Sequence, residues 1–234
     1  MNLIRLTAGR AMISVMRHRC SAPGRARRGG EMAPVSDVLY LLLAGGQSRR
    51  MGGGDKNLLD LAGMPLLGHV LARAVPDDAP AIINANGDAA RYDAFGLPVV
   101  GDVVDGFAGP LAGVLTGLEW AAANQRGCSH VISLATDAPF LPQNLGSELI
   151  AAIEDGADLA QALSNDRRHP VFGIWPVALA PALRMALVDE GLRKIDHFTA
   201  RYECRTVPFT GDPDPFMNLN APEDFGLAQQ ILDA

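Results

Sequence analysis

The sequence predicts an α/β protein: a doubly wound, mostly parallel sheet with helices on both faces. Short apolar runs bounded by Gly, Pro or Asp alternate with helical stretches through the first half of the chain. One of these runs, His130 to Ala135, is followed closely by a lone aspartate, Asp137. The first run, Val38 to Ala44, breaks straight into a glycine-rich loop carrying cations, and open α/β sheets bind ligands beyond the carboxyl ends of their strands.

Taken in order, Val38 to Ala44 is the first strand and residues 45–56 the loop. Asn57 to Gly63 reads as a short extended piece and turn, and Pro65 suits the first residue of a helix through about Val75. Ala81 to Asn86 is apolar, bounded by Pro80 and Gly87, and ends in polar residues, as a buried parallel strand would. Leu97 to Val100 is a third strand, stopping at Gly101-Asp102. Phe107 to Gly113 is a loop leading into a helix that runs to about Asn124. His130 to Ala135 is the fourth strand, capped by Thr136 to Phe140. Beyond Asp158 the pattern loosens into a strand at Leu159 to Leu163, a polar turn at Ser164 to Arg168 and a strand at Val171 to Trp175. A helix at Pro181 to Asp189, a strand near Tyr202 to Pro208 and a helix at Pro222 to Leu232 close the chain. Asn220 is the expected cap of that last helix, with Glu223 three residues on.

At 234 residues, the chain is long enough to bury a core without disulfides or structural metal. Cys20, Cys128 and Cys204 are odd in number and widely spaced, so neither a disulfide framework nor a zinc site is indicated, and a cytoplasmic location is expected. There is no apolar run long enough to cross a bilayer. Residues 1–30 hold seven arginines and no acidic residue, so the overall charge of −6 becomes −13 for residues 31–234. That acidic remainder is unsuited to nucleic acid, and a small-molecule partner is expected. The arginine-rich start, residues 1–31, reads as a disordered extension or a start assigned too early, with Met32 the biological start. Residues 32–234 read as one domain, with a nucleotide half at about 37–145 and an acceptor half at about 146–234.

The loop Gly45-Gly46-Gln47-Ser48-Arg49-Arg50-Met51-Gly52-Gly53-Gly54-Asp55-Lys56 is built to hold a nucleoside triphosphate. Glycines let successive backbone N–H groups turn inward as an anion cradle, and Arg49, Arg50 and Lys56 add full charges. It is neither a Walker A motif, which needs Gly-Lys-Ser/Thr, nor a G-x-G-x-x-G fingerprint, because Gly45 and Gly46 are adjacent. Asp137, just after an apolar strand, suits magnesium, which favours one or two carboxylates together with phosphate oxygens and water; alternatively it caps the turn before Pro139. Asp102 and Asn84 sit at two further strand ends and read either as nucleotide contacts or as turn residues. In Gly109-Pro110-Leu111-Ala112-Gly113, Pro110 can open a helix whose free N–H groups face ligand, and Gly113 allows close packing. Arg167-Arg168-His169-Pro170 offers donors to an acceptor molecule.

The segment Leu43-Ala44-Gly45-Gly46-x-Ser48-x-Arg50-Met51-Gly52, with Lys56 shortly after, resembles the signature of nucleotidyltransferases that activate a phosphate compound with an NTP. Its double glycine after Leu-Ala resembles the molybdenum cofactor guanylyltransferases, as do the Gly109 to Gly113 segment, His169-Pro170 and the ending Asn218-x-Asn220-x-Pro222-Glu223-Asp224. The resemblance spans roughly Leu39 to Leu232 and departs in the glycine run 52–54, which a bulkier residue often interrupts in the family. It implies a Rossmann-like, GT-A-like nucleotidyltransferase fold. It also implies transfer of GMP from GTP to the terminal phosphate of molybdenum-molybdopterin, with Mg2+ as cofactor. Guanosine nucleotide binding would fall to Leu43, Ala44, Gly45, Gly46, Lys56, Asn84, Asp102 and Asp137, with metal on Asp137. Catalysis would rest on Arg49, Lys56 and Asp137, and acceptor binding on Arg168, His169, Asn218 and Asn220. Molybdoenzyme chaperones or the molybdenum-insertion enzyme are the implied protein partners. A related enzyme using CTP on the same cofactor, one acting on a sugar phosphate, and a non-catalytic GTP-binding module remain alternatives.

Overall fold

The computed structural model describes residues 38–45, 55–106 and 109–233; the arginine-rich start and residues 46–54 lie outside them. Strand β1 (Val38–Leu43) is apolar at every position and buries both of its faces. Tyr40, Leu42 and Ala44 join one core cluster, and Leu39 and Leu41 join the other. Alternation along a strand sends successive side chains to opposite faces, so an unbroken apolar run requires helices on both. After the loop come two short strands, β2 (Asp60–Leu61) and β3 (Met64–Pro65), and helix α1 (Leu66–Ala74). Pro65 closes β3 and precedes the helix rather than starting it.

Strands β4 (Ala81–Asn84) and β5 (Val99–Val100) are separated by a turn of 3-10 helix at Ala89–Phe95, and helix α2 (Pro110–Asn124) follows with proline at its first position. Strand β6 (His130–Ala135) leads to α3 (Leu145–Glu154), which the sequence reading did not foresee, and then to β7 (Leu159–Ser164). Strand β8 (Arg167–Pro176), α4 (Ala180–Val188), α5 (Ile195–Thr199), β9 (Cys204–Pro208) and α6 (Pro222–Leu232) complete the chain.

The main sheet runs β5-β4-β1-β6-β8-β7-β9. All neighbours pair in parallel except across β8, which is antiparallel to both β6 and β7. The sheet is therefore mostly parallel, as expected. Helices α1 and α3 cover one face with Leu67, Val70, Leu145 and Leu149; α2, α4 and α5 cover the other with Leu115, Leu118, Leu183 and Phe198. A smaller cluster, Leu61, Leu66, Phe140, Leu219 and Ala228, seats α6. Among the described residues no helix is long and apolar enough to cross a membrane.

Two local expectations need correction. The expected polar turn at 164–168 is a tight hairpin: only Asn165 and Asp166 turn, both with left-handed backbone (φ 47° and 59°), and Arg167 and Arg168 already belong to β8. Asn and Asp tolerate that region better than most residues, which shortens the turn. The cap of α6 is Ala221 rather than Asn220, and the closing carboxylate is Asp224, not Glu223. Asp224 Oδ2 accepts the backbone N–H groups of Asn220 and Ala221 at 2.7 and 2.8 Å, so the acid does the capping and leaves the Asn220 amide free for another contact.

Candidate active site

Walking outward from β1 along the sheet, strand order reverses between β1 and β6, because β4 and β5 lie on one side and β6 on the other. Such a switch point opens a crevice at the carboxyl ends. The ends of β1 and β6 are stitched together there: Thr136 Oγ1 donates to the Leu43 carbonyl at 3.1 Å. Beyond them, Lys56 Nζ donates to Asp137 Oδ2 at 3.0 Å and to Asn220 Oδ1 at 2.6 Å. Residues 56, 137 and 220 converge although they are far apart in the chain. Leu219 N donates to the Asp137 carbonyl at 2.9 Å, which fixes the segment that delivers Asn220.

Asp137 has a second feature. Its Oδ1 is buried without a hydrogen-bond partner, one of two such side-chain oxygens among the described residues. A buried carboxylate oxygen left unpaired is costly unless a cation or donor meets it. That orphaned oxygen, on a group already facing an ammonium, fits a site for a divalent cation. Among the described residues no cluster of three or more His, Cys, Asp or Glu able to hold a metal exists, and magnesium is commonly held by one or two carboxylates together with substrate phosphates and water.

On the β4–β5 side, Asn84 is buried, and its Nδ2 donates to the Val100 carbonyl at 3.1 Å and to Asp102 Oδ1 at 3.0 Å. Asn86 grips the same carboxylate: its Nδ2 reaches Asp102 Oδ2 at 2.8 Å and its Oδ1 accepts Asp102 N–H at 2.8 Å. Helix α2 supports this corner from below. Thr116 Oγ1 accepts Val103 N–H at 3.0 Å, and Gly113 lies so close that a Cβ there would stand 2.4 Å from Asn84 Oδ1. The structure thus brings Asn84 and Asp102 together, with Asn84 holding Asp102 rather than standing open to ligand.

The far side of the crevice is built by the β7–β8 hairpin. Ser164 Oγ lies 2.8 Å from both His169 Nε2 and Asp214 Oδ1. Asn165 Nδ2 and Phe216 N–H also donate to Asp214, at 3.0 and 2.9 Å. Burial raises the Asp214 carboxyl, but these three bonds and the nearby His169 together outweigh it and leave it below the ordinary carboxylate value. An ionised Asp214 accepts a hydrogen bond from the Ser164 hydroxyl, so Ser164 in turn accepts from His169 Nε2–H, which leaves Nδ1 as the imidazole's acceptor. Phe216 stacks on His169 with centroids 4.6 Å apart. Burial holds the imidazole below the usual histidine value, against the pull of Asp214 and with some help from Arg167.

His169, on β8, therefore packs against the segment that carries Asn218 and Asn220. Arg168 does not join it. Adjacent strand residues face opposite sides: His169 pairs with Ala162 on the α1–α3 face, while Arg168 is exposed and lies 4.0 Å from Asp196 of α5. Arg167, on the His169 side, is the nearer cation. Asn218 is exposed. Gly46 and Arg49 lie outside the described residues, whereas Leu43, Ala44 and Gly45 stand at the mouth of the crevice at the end of β1.

Sequence reasoning missed Asn57, Arg91 and Tyr92 near the loop, and Ser164 and Asp214 in the hairpin network. Asn57 directly follows Lys56, which is a usable signal; Asp214, in an irregular loop, offers none.

Residues 40–204 match the family described as MobA-like NTP transferase domain. The chain belongs to that family. It is 51% identical over 193 residues, 82% of this chain and 91% of the relative, to a molybdenum cofactor guanylyltransferase of Bradyrhizobium sp. (strain ORS 278). It is 47% identical over 204 residues, 85% of this chain and 97% of the relative, to one from Mesorhizobium japonicum. The crystal structure of molybdopterin-guanine dinucleotide biosynthesis protein A from Archaeoglobus fulgidus superposes with a TM-score of 0.66 over 83% of this chain and 98% of that one. At 21% identity, that likeness establishes a shared nucleotidyltransferase fold. The family match takes in Lys56, Asn84, Asp102, Asp137 and His169, while Asn218 and Asn220 lie beyond residue 204.

Proposed function

We propose that this protein transfers GMP from GTP to the terminal phosphate of molybdenum-molybdopterin, releasing pyrophosphate. The observation that carries the reading is the convergence of Lys56, Asp137 and Asn220 at the switch point, with Asp137 Oδ1 left unpaired. Guanylyltransferase relatives that share about half of the sequence support the choice of nucleotide and acceptor. The nucleotide half, about 37–145, holds GTP on the glycine loop with Arg49 and Lys56. The acceptor half, about 146–234, presents His169, Asn218 and Asn220, and Arg167 takes the part first expected of Arg168. Leu43, Ala44, Gly45 and Gly46 line the polyphosphate cradle, Asp102 contacts the nucleoside, and Asn84 keeps Asp102 in place.

The acceptor phosphate has a second pKa of about 6, so near neutrality it is already a nucleophilic dianion and needs no general base. What opposes reaction is repulsion between two anions and charge gathering on the departing pyrophosphate. Lys56 and the loop's main-chain donors offset that charge, and Asn220 and His169 orient the acceptor. Asp137 is the residue that would hold Mg2+, which supplies further neutralisation of the polyphosphate.

The test is to incubate the full chain with Mg2+, molybdenum-molybdopterin and either GTP or CTP, and to follow pyrophosphate and the nucleotide-linked product by mass spectrometry. GTP should give the guanine dinucleotide and CTP little product. Cytidylated product in preference to guanylated would overturn the reading.

A further inference from the structure

Lys56 is flanked by Asp55 and Asn57, and both neighbours are gripped by two consecutive residues of the turn after β4. Arg91 Nη1 forms an ion pair with Asp55 Oδ2. The same guanidinium is fixed from behind, with Nη2 donating to the Asn86 carbonyl at 2.7 Å and Nε to the Asp88 carbonyl at 2.8 Å. Tyr92, fully buried, places its hydroxyl where Asn57 Nδ2 donates to it at 3.0 Å; that amide also approaches the Ala44 carbonyl at 3.4 Å. Arg91 lies over the Tyr92 ring at 5.4 Å, so the two grips brace each other.

Ion pairs open to solvent contribute little to stability, and Arg91 and Asp55 are both partly exposed, so their contact matters chiefly through the geometry it imposes. Here the imposed geometry is specific. With residues 55 and 57 held on one side, residue 56 between them is turned away toward Asp137 and Asn220, where its ammonium is found. Asn57 also ties the described end of the loop to Ala44 at its start. The Asn86 whose carbonyl anchors Arg91 is the one whose amide holds Asp102, so one bonded chain joins the two nucleotide-facing corners.

We propose that Arg91 and Tyr92 are positioning residues for nucleotidyl transfer: by clamping Asp55 and Asn57 they aim the Lys56 ammonium at the polyphosphate. This rests on the reading of Lys56 as the cation that meets that tail. Misplacing a catalytic group by about 1 Å can cost on the order of 100-fold in rate. Arg91→Ala and Tyr92→Phe should therefore lower kcat/KM for GTP between about tenfold and about 100-fold, with thermal midpoints measured alongside.

The deciding measurement is a double-mutant cycle, with each substitution made in wild type and in Lys56→Ala, and with GTP affinity by equilibrium dialysis and turnover both recorded. If the clamp acts through Lys56, Arg91→Ala and Tyr92→Phe have little further effect once Lys56 is gone. Losses that multiply in the Lys56→Ala background overturn the proposal, as do single variants with wild-type turnover and GTP affinity. A Lys56→Ala protein that binds and turns over GTP normally would instead defeat the underlying reading of Lys56 and, with it, the clamp.

Discussion

Substituting alanine for Gly113 tests how α2 holds the nucleotide corner. The new Cβ would stand 2.4 Å from Asn84 Oδ1 and 2.5 Å from Leu43 Cδ2, about 1 Å short of ordinary contact. Asn84 cannot swing aside cheaply, because its amide holds the Val100 carbonyl at 3.1 Å and Asp102 at 3.0 Å in a buried setting. Overpacking of this kind costs about 1–3 kcal/mol, and a buried amide shaken from its partners costs about 1–3 more. Alanine recovers about 1 kcal/mol in helix propensity, so a net loss of about 3 kcal/mol is expected. With a urea m-value of about 2–3 kcal/mol/M, the unfolding midpoint should fall by about 1 M or slightly more. GTP affinity should fall as well, since Asp102 loses its support. The control is Gly117→Ala one turn on, whose Cβ would meet Leu41 Cδ2 at 2.5 Å. It should destabilise comparably without touching GTP affinity. If Gly113→Ala matches wild type in both measurements, or if Gly117→Ala weakens GTP binding equally, the argument is wrong.

Other outcomes follow from the same contacts. Lys56→Ala should weaken GTP binding and turnover together, while Asp137→Ala should chiefly abolish magnesium-dependent turnover, each by on the order of 100-fold or more in steady-state assays. The neutral His169 imidazole stabilises the fold at high pH: its folded pKa lies below the unfolded value of about 6.5, so its contribution is complete above that pH and lost as pH falls through the folded value. Urea midpoints at about pH 7.5 and about pH 5 should therefore differ less in His169→Gln than in wild type. Arg184 bonds Glu119 through two nitrogens at 2.6 and 2.7 Å between α4 and α2, yet both side chains are substantially exposed. Arg184→Ala should cost less than about 1 kcal/mol and leave turnover intact.

The parallel half of the fold was legible because burial on both faces leaves an unmistakable trace: Val38 to Leu43 and His130 to Ala135 are apolar at nearly every position, and their ends are marked by Gly45 and Asp137. Strand ends also drew attention to Asn84 and Asp102, which read equally well as turn residues or nucleotide contacts; the structure bonds the two to each other, with Asn84 in a supporting part. Helix α3 went unread although Leu145, Leu149, Ala152 and Ile153 form a regular apolar stripe with Ser147, Glu148 and Glu154 on the solvent side; the stretch is short and follows a proline-containing turn directly after β6. Arg168 was expected among the acceptor residues because the sequence places it beside His169; whether a strand or a turn held the pair decided which face each took, and that depended on how tightly Asn165-Asp166 could turn. The Arg91–Asp55 and Tyr92–Asn57 grips left no periodic trace at all, since each joins two irregular segments.

The reversal at β8 brings the residues proposed for the acceptor to the same edge as those proposed for the nucleotide. Strands β6, β7 and β9 all run the same way, so Asp137, Ser164 and Phe209 emerge at one edge of the sheet. From there the chain has to cross back over those ends to reach α6, and it does so bond by bond rather than as a strand. Phe209 N–H meets the Leu163 carbonyl at 2.8 Å, Asp214 meets Ser164, Leu219 N–H meets the Asp137 carbonyl, and Asn220 meets Lys56. Phe216, packed against His169 and Phe172, wedges the crossing into the core between the second and third of these ties. A segment held this way owes its course to single side chains instead of a ladder. It can therefore accept substitutions at exposed positions such as Asn218 without disturbing the sheet beneath, which is the usual division of labour between a rigid scaffold and an irregular surface chain.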